Sequence, residues 1–255
     1  MTWNPQAMAF LHEVAKGNMP TNSRLFNIAG RHEANVETTQ LGDISLVPSV
    51  VVLPDPGGIQ LELVSTSTND DGNPVGTGAR TVDIHYLDTS GVEQVETVTM
   101  NGTTAATTTA VDIDCVQWIH TKTVGSGGVA AGNISLQGVG GGTVYEYIAV
   151  GGNQSLSARY RVPAAHKGYL VQWKASALKK RVTFYCRAEC ERSDRSLVSG
   201  VRLFQATSDL EAAPGPVEEL GYVMVPALAQ VVISGQADAA GGVASASFQI
   251  LVVAD

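Results

Sequence analysis

The sequence predicts an all-β protein: two antiparallel β-sandwich or jelly-roll domains in tandem, preceded by an N-terminal arm that contains one short helix. Three observations support this class. Apolar and polar residues alternate in short runs, turn residues separate those runs, and no helical window follows the arm. The chain has 255 residues, of which 44% are hydrophobic and 16% are charged. A chain of this length buries enough surface to fold without metals or disulfides.

Residues 1–56 are interpreted as an anchoring arm, because they contain only one periodic segment. Its apolar residues recur at helical spacing, and Gly17 follows where a helix commonly ends. These apolar residues are Ala7, Phe10, Leu11 and Val14. Prolines interrupt the rest of the arm, so residues 50–53 are predicted to be extended and not a central strand. Such an arm would become ordered by packing against another surface. The alternative is that it packs over the first domain of its own chain.

Residues 57–150 are predicted to form the first sandwich. Alternation at residues 59–63, 82–86 and 98–100 predicts strands with one exposed face. Further strands are predicted at residues 111–124 and 143–148, on either side of a glycine-rich stretch. The dipeptide Asn101-Gly102 is typical of a tight hairpin. Short strands with no helices between them favour an antiparallel sandwich.

Residues 151–255 are predicted to form a second sandwich or jelly roll. Seven strand candidates lie at residues 156–162, 169–175, 182–190, 201–206, 222–225, 231–233 and 246–253. The segment at residues 211–217 contains two prolines. It is predicted to be a surface loop, because proline cannot donate to a ladder of hydrogen bonds.

Charge is distributed unevenly along the chain, although the net charge is -8. Residues 1–158 hold 5 basic and 15 acidic side chains, residues 159–202 hold 11 basic and 3 acidic, and the remainder hold 6 acidic and none basic. A nucleic-acid-binding protein usually has an overall basic balance, so nucleic acid is not the expected partner. The basic block is interpreted as a local partner surface or as an internal charge match.

No arrangement of reactive residues predicts catalysis, a cofactor or a metal site. Cys186 and Cys190 lie about 13 Å apart along one strand, so they cannot pair with each other. The histidines are scattered singly, which argues against zinc. Residues 69–73 resemble part of a calcium loop but lack its bidentate glutamate, so a polar turn is predicted. Asp112 and Asp114 are interpreted as an exposed strand face, with glycoside hydrolysis as the alternative.

The candidate interface residues are apolar residues near the N-terminus and basic residues of the middle block. They are Phe10, Leu11, Val14, Phe26, Arg159, Arg161, Lys179, Lys180 and Arg181. The basic residues would meet an anionic partner such as nucleic acid, lipopolysaccharide or an acidic glycan. Alternatively, they would complement the acidic arm or a neighbouring subunit, which is favoured because the chain carries enough acid to neutralise its own base.

Five ordered pieces of the sequence resemble a recurrent stretch in structural proteins of tailed bacteriophages. These are LVSTSTND at residues 63–70, GTGART at 76–81, YLD at 86–88, ETVTMNGTT at 96–104 and SLSARYRVP at 155–163. The last piece resembles the opening of a second sandwich in the same proteins. Together the pieces span roughly residues 57–170, and the arm has no comparable match.

The resemblance implies a non-enzymatic virion component, made in the cytoplasm of a bacterial host. We expect a self-associating tail or fibre-type appendage that docks through its N-terminal arm, with a capsid-decorating protein on the head as the alternative. Its expected partners are copies of itself, with a trimer as one candidate state, and other virion proteins of the tail or capsid. No cofactor is expected. Insertion into a membrane is not expected either, because the longest apolar runs are much shorter than the roughly 20 residues that a membrane-spanning helix needs.

Alternatives from other classes are a module that binds a host surface glycan and a glycan hydrolase. For the binding module, aromatic rings would serve as stacking platforms, and the candidates are Trp118, Trp173 and Tyr145. Packing of these rings in the core is the competing interpretation.

Overall fold

The computed structural model describes residues 22–32, 36, 42–47, 52–55, 57–190, 201–210 and 217–255. Within these ranges the chain forms strands and no helix, and every ladder between named strands is antiparallel. The all-β class is therefore confirmed, whereas the tandem sandwich or jelly-roll arrangement stays a prediction. The helix predicted near Phe10 lies outside the described ranges. Within them, no helix is long and apolar enough to cross a membrane.

The strands are β1 (Ser23–His32), β2 (Gly42–Asp43), β3 (Leu61–Ser65), β4 (Ala79–Asp88), β5 (Glu93–Thr99), β6 (Ala106–Thr107), β7 (Ile113–Val124), β8 (Ile134–Gly138), β9 (Val144–Ile148), β10 (Arg159–Arg161), β11 (His166–Lys179), β12 (Val182–Cys190), β13 (Val201–Leu210), β14 (Val217–Val225), β15 (Gln230–Ala237) and β16 (Val243–Ala254). They lie in sheets that group into two pairs, and each pair surrounds its own apolar core.

The first pair of sheets has the strand orders β6-β3-β8-β9 and β5-β4-β7. Inward side chains of both sheets share one core, which includes Leu61, Leu63, Val82, Ile84, Ile119 and Ile134. Strand β8 lies inside the glycine-rich stretch that was predicted to separate strands, and Ile134 and Leu136 alternate inward there. Strands β5 and β6 belong to different sheets. The turn at Asn101-Gly102 thus connects two sheets, and the hairpin prediction is wrong.

A buried aspartate organises the turn between β3 and β4. The Oδ1 atom of Asp70 accepts hydrogen bonds from the backbone N–H groups of Ala79 (2.7 Å) and Ala131 (2.8 Å). Its Oδ2 atom accepts from Ser65 Oγ (2.6 Å) and from the N–H of Gly132 (2.8 Å). A carboxylate with several such donors is well satisfied although it is buried. The predicted polar turn is therefore held in place by hydrogen bonds to the segments around it.

The second pair of sheets has the strand orders β1-β16-β11-β14 and β10-β15-β12-β13, with β2 also pairing with β15. Its core includes Tyr160, Trp173, Phe184, Ile233, Phe248 and Ile250. All seven strands predicted after residue 151 are present, although several are longer than predicted. Strand β14 begins at Val217, the last residue of the predicted surface loop.

Strand β1 joins this pair of sheets although its residues were assigned to the arm. It pairs with β16 from Ser23↔Val253 to His32↔Ala244. Gly30 lies on the inward face of β1, where a large apolar side chain would be expected. No side chain fits there, because a Cβ atom would lie 1.9 Å from the carbonyl oxygen of Ile44. The alternation that marks a half-buried strand is thereby interrupted, which is why the sequence pattern did not reveal β1.

Candidate functional site at the junction

The two pairs of sheets meet at β10, and we call this contact the junction. Arg159, Tyr160 and Arg161 are 4%, 1% and 7% exposed, so both faces of this short strand are buried. Tyr160 packs in the core of the second pair of sheets. Because neighbouring side chains of a strand point to opposite faces, the two arginines point toward the first pair. The carboxylates that contact these three residues all come from the first pair.

Arg159 forms a buried ion pair with Glu146, which ends up fully inaccessible to solvent. Its Nη2 atom lies 3.1 Å from Glu146 Oε2 and donates to the carbonyl oxygen of Tyr145 at 2.8 Å. The other carboxylate oxygen of Glu146 accepts from Ser157 Oγ at 2.7 Å. Both carboxylate oxygens of Glu146 accept a hydrogen bond, whereas Arg159 Nε is buried without a hydrogen-bond partner among the described residues. Close pairing of the opposite charges offsets the cost of burying them.

Arg161 makes the second buried contact across the junction. Its Nη1 atom lies 3.0 Å from Asp114 Oδ2, and its Nε atom donates to the carbonyl oxygen of Leu228 at 2.9 Å. The amide of Gln117 pairs with the backbone of Arg161, donating to its carbonyl oxygen at 2.6 Å and accepting from its N–H at 3.0 Å. Asp114 is therefore engaged by a cation, and the exposed strand face predicted for it is wrong.

Tyr160 and Arg24 converge on Glu93 from the second pair of sheets. The hydroxyl of Tyr160 donates to Glu93 Oε1 at 2.9 Å, and the guanidinium of Arg24 contacts Oε2. Burial, and then the negative charge of Glu93, raises the pKa of Tyr160 far above its usual range. The hydroxyl thus stays protonated and donates its hydrogen bond throughout the pH range in which proteins fold.

Aromatic rings continue the junction along its side. Phe26 stacks on Tyr160 with ring centroids 5.1 Å apart and contacts Trp118 at 5.7 Å. On the other side Trp118 stacks on His85 at 4.4 Å, and His85 stacks on His120 at 5.1 Å. Burial, and then the neighbouring His120, lowers the pKa of His85. Phe26, predicted as a candidate for contact with another molecule, therefore packs within its own chain.

The aromatic rings predicted as stacking platforms for glycans differ in their accessibility. Trp173 and Tyr145 are buried. Trp118 is partly exposed and lines a cavity of about 280 Å³ together with His85, Arg24, Glu93 and Gln94. Since its ring contacts His85 on one side and lies near Tyr160 and Phe26 on the other, Trp118 presents mainly an edge to this cavity.

The other basic candidates occupy a different environment. Lys179, Lys180 and Arg181 form the exposed turn between β11 and β12, where Lys180 has a φ of 64°. Arg181 Nη2 lies 3.2 Å from Asp209 Oδ2, and both side chains are half-exposed. Hydrogen bonding from Thr183, and then from Arg181, lowers the pKa of Asp209. The remaining candidates, Phe10, Leu11 and Val14, lie outside the described residues.

A buried charged group lies inside the second pair of sheets and was not predicted from the sequence. Arg187 and Glu189 are fully buried, and Arg187 Nη2 donates to Ser234 Oγ at 2.7 Å. Ser234 Oγ in turn donates to Asp43 Oδ1 at 3.1 Å. Burial raises the pKa of Asp43 even though Arg159 and Arg187 lie nearby. Phe184, Cys186 and Ala188 form the buried apolar face of β12, and Arg187 and Glu189 on its opposite face are buried as well.

The junction is suited to holding two parts of the chain together. Its carboxylates each face a guanidinium or a hydroxyl donor. In the described part of the chain, no group of three or more histidine, cysteine, aspartate or glutamate residues is placed to hold a metal ion. The internal charge match, left open by the sequence, is the arrangement that the structure shows for Arg159 and Arg161.

No family model matches the chain, and no curated protein matches it. Among solved structures it is similar to an isomalto-dextranase of Arthrobacter globiformis T6 complexed with panose, with a TM-score of 0.25 and 12% identity over 89% of this chain and 34% of that chain. This chain thus spans about a third of the length of that enzyme.

Two further similar structures come from infectious bursal disease virus. The Gx strain structure has a TM-score of 0.23 and 9% identity over 92% of this chain and 72% of that chain. The VP2 subviral particle has a TM-score of 0.21 and 8% identity over 96% and 81% of the two chains. At these scores, none of the three similarities carries an argument about the activity of this protein.

Proposed function

We propose that the protein is a non-enzymatic structural component of a tailed-phage virion, a self-associating tail or fibre-type appendage that docks through the residues preceding β1. A capsid-decorating protein on the head is the alternative within the same class. The observation that carries the proposal is that two of the segments that resemble phage proteins, residues 63–70 and 155–163, hold the fold together. Asp70 fixes the β3–β4 turn, and Arg159 and Arg161 join the two pairs of sheets.

The position of β1 supports docking through the N-terminal residues. Strand β1 is an edge strand, which pairs on one side with β16. The carbonyl oxygen of Asn22 accepts a hydrogen bond from the N–H of Ala254 at 3.4 Å. Residues 1–21 therefore precede an edge strand and not a strand enclosed by neighbours on both sides, which favours their use as a docking segment.

The proposal is tested with the full chain and a deletion of residues 1–17. We expect the full chain to sediment as an oligomer and to be found by peptide mapping in purified phage particles. The deletion variant should keep the wild-type melting temperature, because no described strand is removed, yet fail to incorporate. Incorporation of the truncated chain, or a full chain that stays monomeric and turns over a polysaccharide, would overturn the proposal.

Copy number separates the tail appendage from the decorating protein. An appendage is present in about a dozen copies per particle, whereas a shell protein follows the symmetry of the capsid and is present in hundreds. Quantitative mass spectrometry of purified particles, referenced to a capsid protein of known stoichiometry, gives this number directly.

A glycan-binding module is the second candidate function, and the cavity beside Trp118 favours it. This cavity approaches the size of a small-molecule site and is lined by an aromatic edge and hydrogen-bonding side chains such as Gln94. A glycan array probed with the wild-type chain and Gln94→Ala tests this candidate. Binding that weakens in the variant supports it, and an array without signal removes it.

A further inference from the structure

The outer face of the sheet β1-β16-β11-β14 changes character at one end. Its inward residues, such as Ile28, Phe248, Ile250 and Leu170, pack in the second core. The alternate residues face outward, and most rows of this outer face are polar. One such row contains Asn27, Gln249 and Gln172, with Leu220 opposite Gln172 on β14. Another row contains Arg31, Ser245 and Ser176. Polar rows of this kind are typical of a sheet face that meets water.

The end row is apolar across all four strands. Register places Leu25 opposite Leu251, Leu251 opposite Tyr169, and Tyr169 opposite Met224. Met224 is 53% exposed, Leu25 and Tyr169 are partly exposed, and Leu251 between them is 5% exposed. We call these four residues the apolar row. Exposed apolar side chains grouped at one end of an otherwise polar sheet face favour contact with another polypeptide.

The apolar row lies at the end of the sheet from which the N-terminal residues leave. Ser23 is paired with Val253, two positions along from the Leu25↔Leu251 pair. The preceding residues include an amphipathic segment, residues 4–16, whose apolar positions are those predicted for contact with another surface. A helix of this length spans about 20 Å, and four strands at their usual spacing span about 14 Å. A helix over residues 4–16 would therefore be long enough to lie across all four strands.

We propose that residues 4–16 of one copy dock on the apolar row of a second copy. The inference rests on the proposed function, in which copies associate through their N-terminal residues, and it names the receiving surface. The connecting residues 17–21 reach at most about 18 Å, enough to pass from the edge strand to a neighbouring molecule. Each copy both supplies a segment and presents a row, so the contact repeats from copy to copy.

Cysteine cross-linking between two differently tagged chains tests the docking directly. One full-length chain carries Leu11→Cys and the other Met224→Cys, and both carry Cys190→Ser, because Cys190 is only partly buried. We expect a disulfide-linked heterodimer on oxidation. The matched control replaces Met224→Cys with Leu178→Cys, since Leu178 is 60% exposed and lies on β11 away from the apolar row. This control should give no heterodimer.

A second measurement uses charge to disrupt the row. Met224→Asp should weaken self-association by about tenfold or more in sedimentation velocity, because a carboxylate would be buried against the docked segment. Leu178→Asp should leave self-association unchanged, and both variants should keep the wild-type melting temperature.

The outcomes separate this inference from the proposed function. Oligomers that form normally with Met224→Asp and give no cross-link overturn the docking site and leave the proposed function intact. A link that forms only within one doubly substituted chain places residues 4–16 on their own sheet, which also overturns docking between copies. A full chain that stays monomeric and is absent from particles overturns the proposed function itself.

Discussion

The basic block contains two clusters of similar charge that have opposite environments. Arg159 and Arg161 flank Tyr160 in a strand whose two faces are both covered, and each pairs with a carboxylate across the junction. Lys179, Lys180 and Arg181 lie in a turn and face solvent. A run of basic residues therefore does not by itself indicate a surface for a partner. The environment of the basic residues depends on whether folding brings acidic residues from elsewhere in the chain into contact with them.

The largest effect is expected from removing Arg159. Arg159→Ala leaves Glu146 buried without its cation, and the loss of one partner of a buried pair costs about 3–5 kcal/mol. The free energy of unfolding from urea titration measures this. Lys174→Ala, a substitution outside the junction, is the control for loss of a basic side chain. A change below about 1 kcal/mol for Arg159→Ala would contradict the importance of this pair.

A smaller effect is expected from Asp114→Asn. The substitution removes the charge but keeps a group that can accept a hydrogen bond from Arg161, so the cost should be about 1.5–3 kcal/mol. Asp114 is also less deeply buried than Glu146. The same urea titration should therefore rank Asp114→Asn below Arg159→Ala, and the reverse order would show that the Arg161 contact is the stronger of the two.

Acid should weaken the junction through His85. Its folded-state pKa is lowered by burial and His120, while Asp83 and Glu93 act in the opposite direction. A lowered pKa means that the unfolded chain binds more protons just below pH 6.5, so stability is lost as pH falls from there toward the folded-state pKa. Melting temperatures between pH 8 and pH 5 should fall less steeply in His85→Gln. An unchanged slope would remove His85 as the cause.

The smallest effect is expected at the exposed turn. Arg181→Ala should change the free energy of unfolding by less than about 1 kcal/mol, because an exposed ion pair with Asp209 is screened by water and salt. Measurements at low and high salt check this, since the difference between Arg181→Ala and wild type should shrink as salt is added. A loss comparable to that of Arg159→Ala would remove the contrast between the two clusters.

Alternation along the sequence was enough to predict the all-β class and most strands. Runs such as Val82 to Tyr86 have one apolar face, and that local pattern survives folding as β4. Strand β1 was missed because Gly30 takes an inward position where a backbone carbonyl leaves no space for a side chain. The carbonyl group belongs to Ile44, and no local sequence pattern indicates that Ile44 packs against Gly30.

The junction could be predicted only in part. The charge distribution of the sequence pointed to an internal match, but it could not say which acids would meet Arg159 and Arg161. Glu146 and Asp114 lie on different strands of the first pair of sheets, and their approach depends on how the two pairs pack. Arg187 and Glu189 escaped notice for a related reason, since a strand with one apolar face gives no local sign that its polar face is covered too.

The burial of β10 on both sides also has a mechanical consequence. Strand β10 contributes Tyr160 to the second core, and its two arginines pair with carboxylates of the first pair of sheets. It should therefore transmit tension between the two pairs of sheets, because they cannot be pulled apart without exposing these paired charges. Stretching one molecule between its ends should give a single rupture rather than two separate steps. The paired charges and the buried Tyr160 should therefore resist bending at the junction.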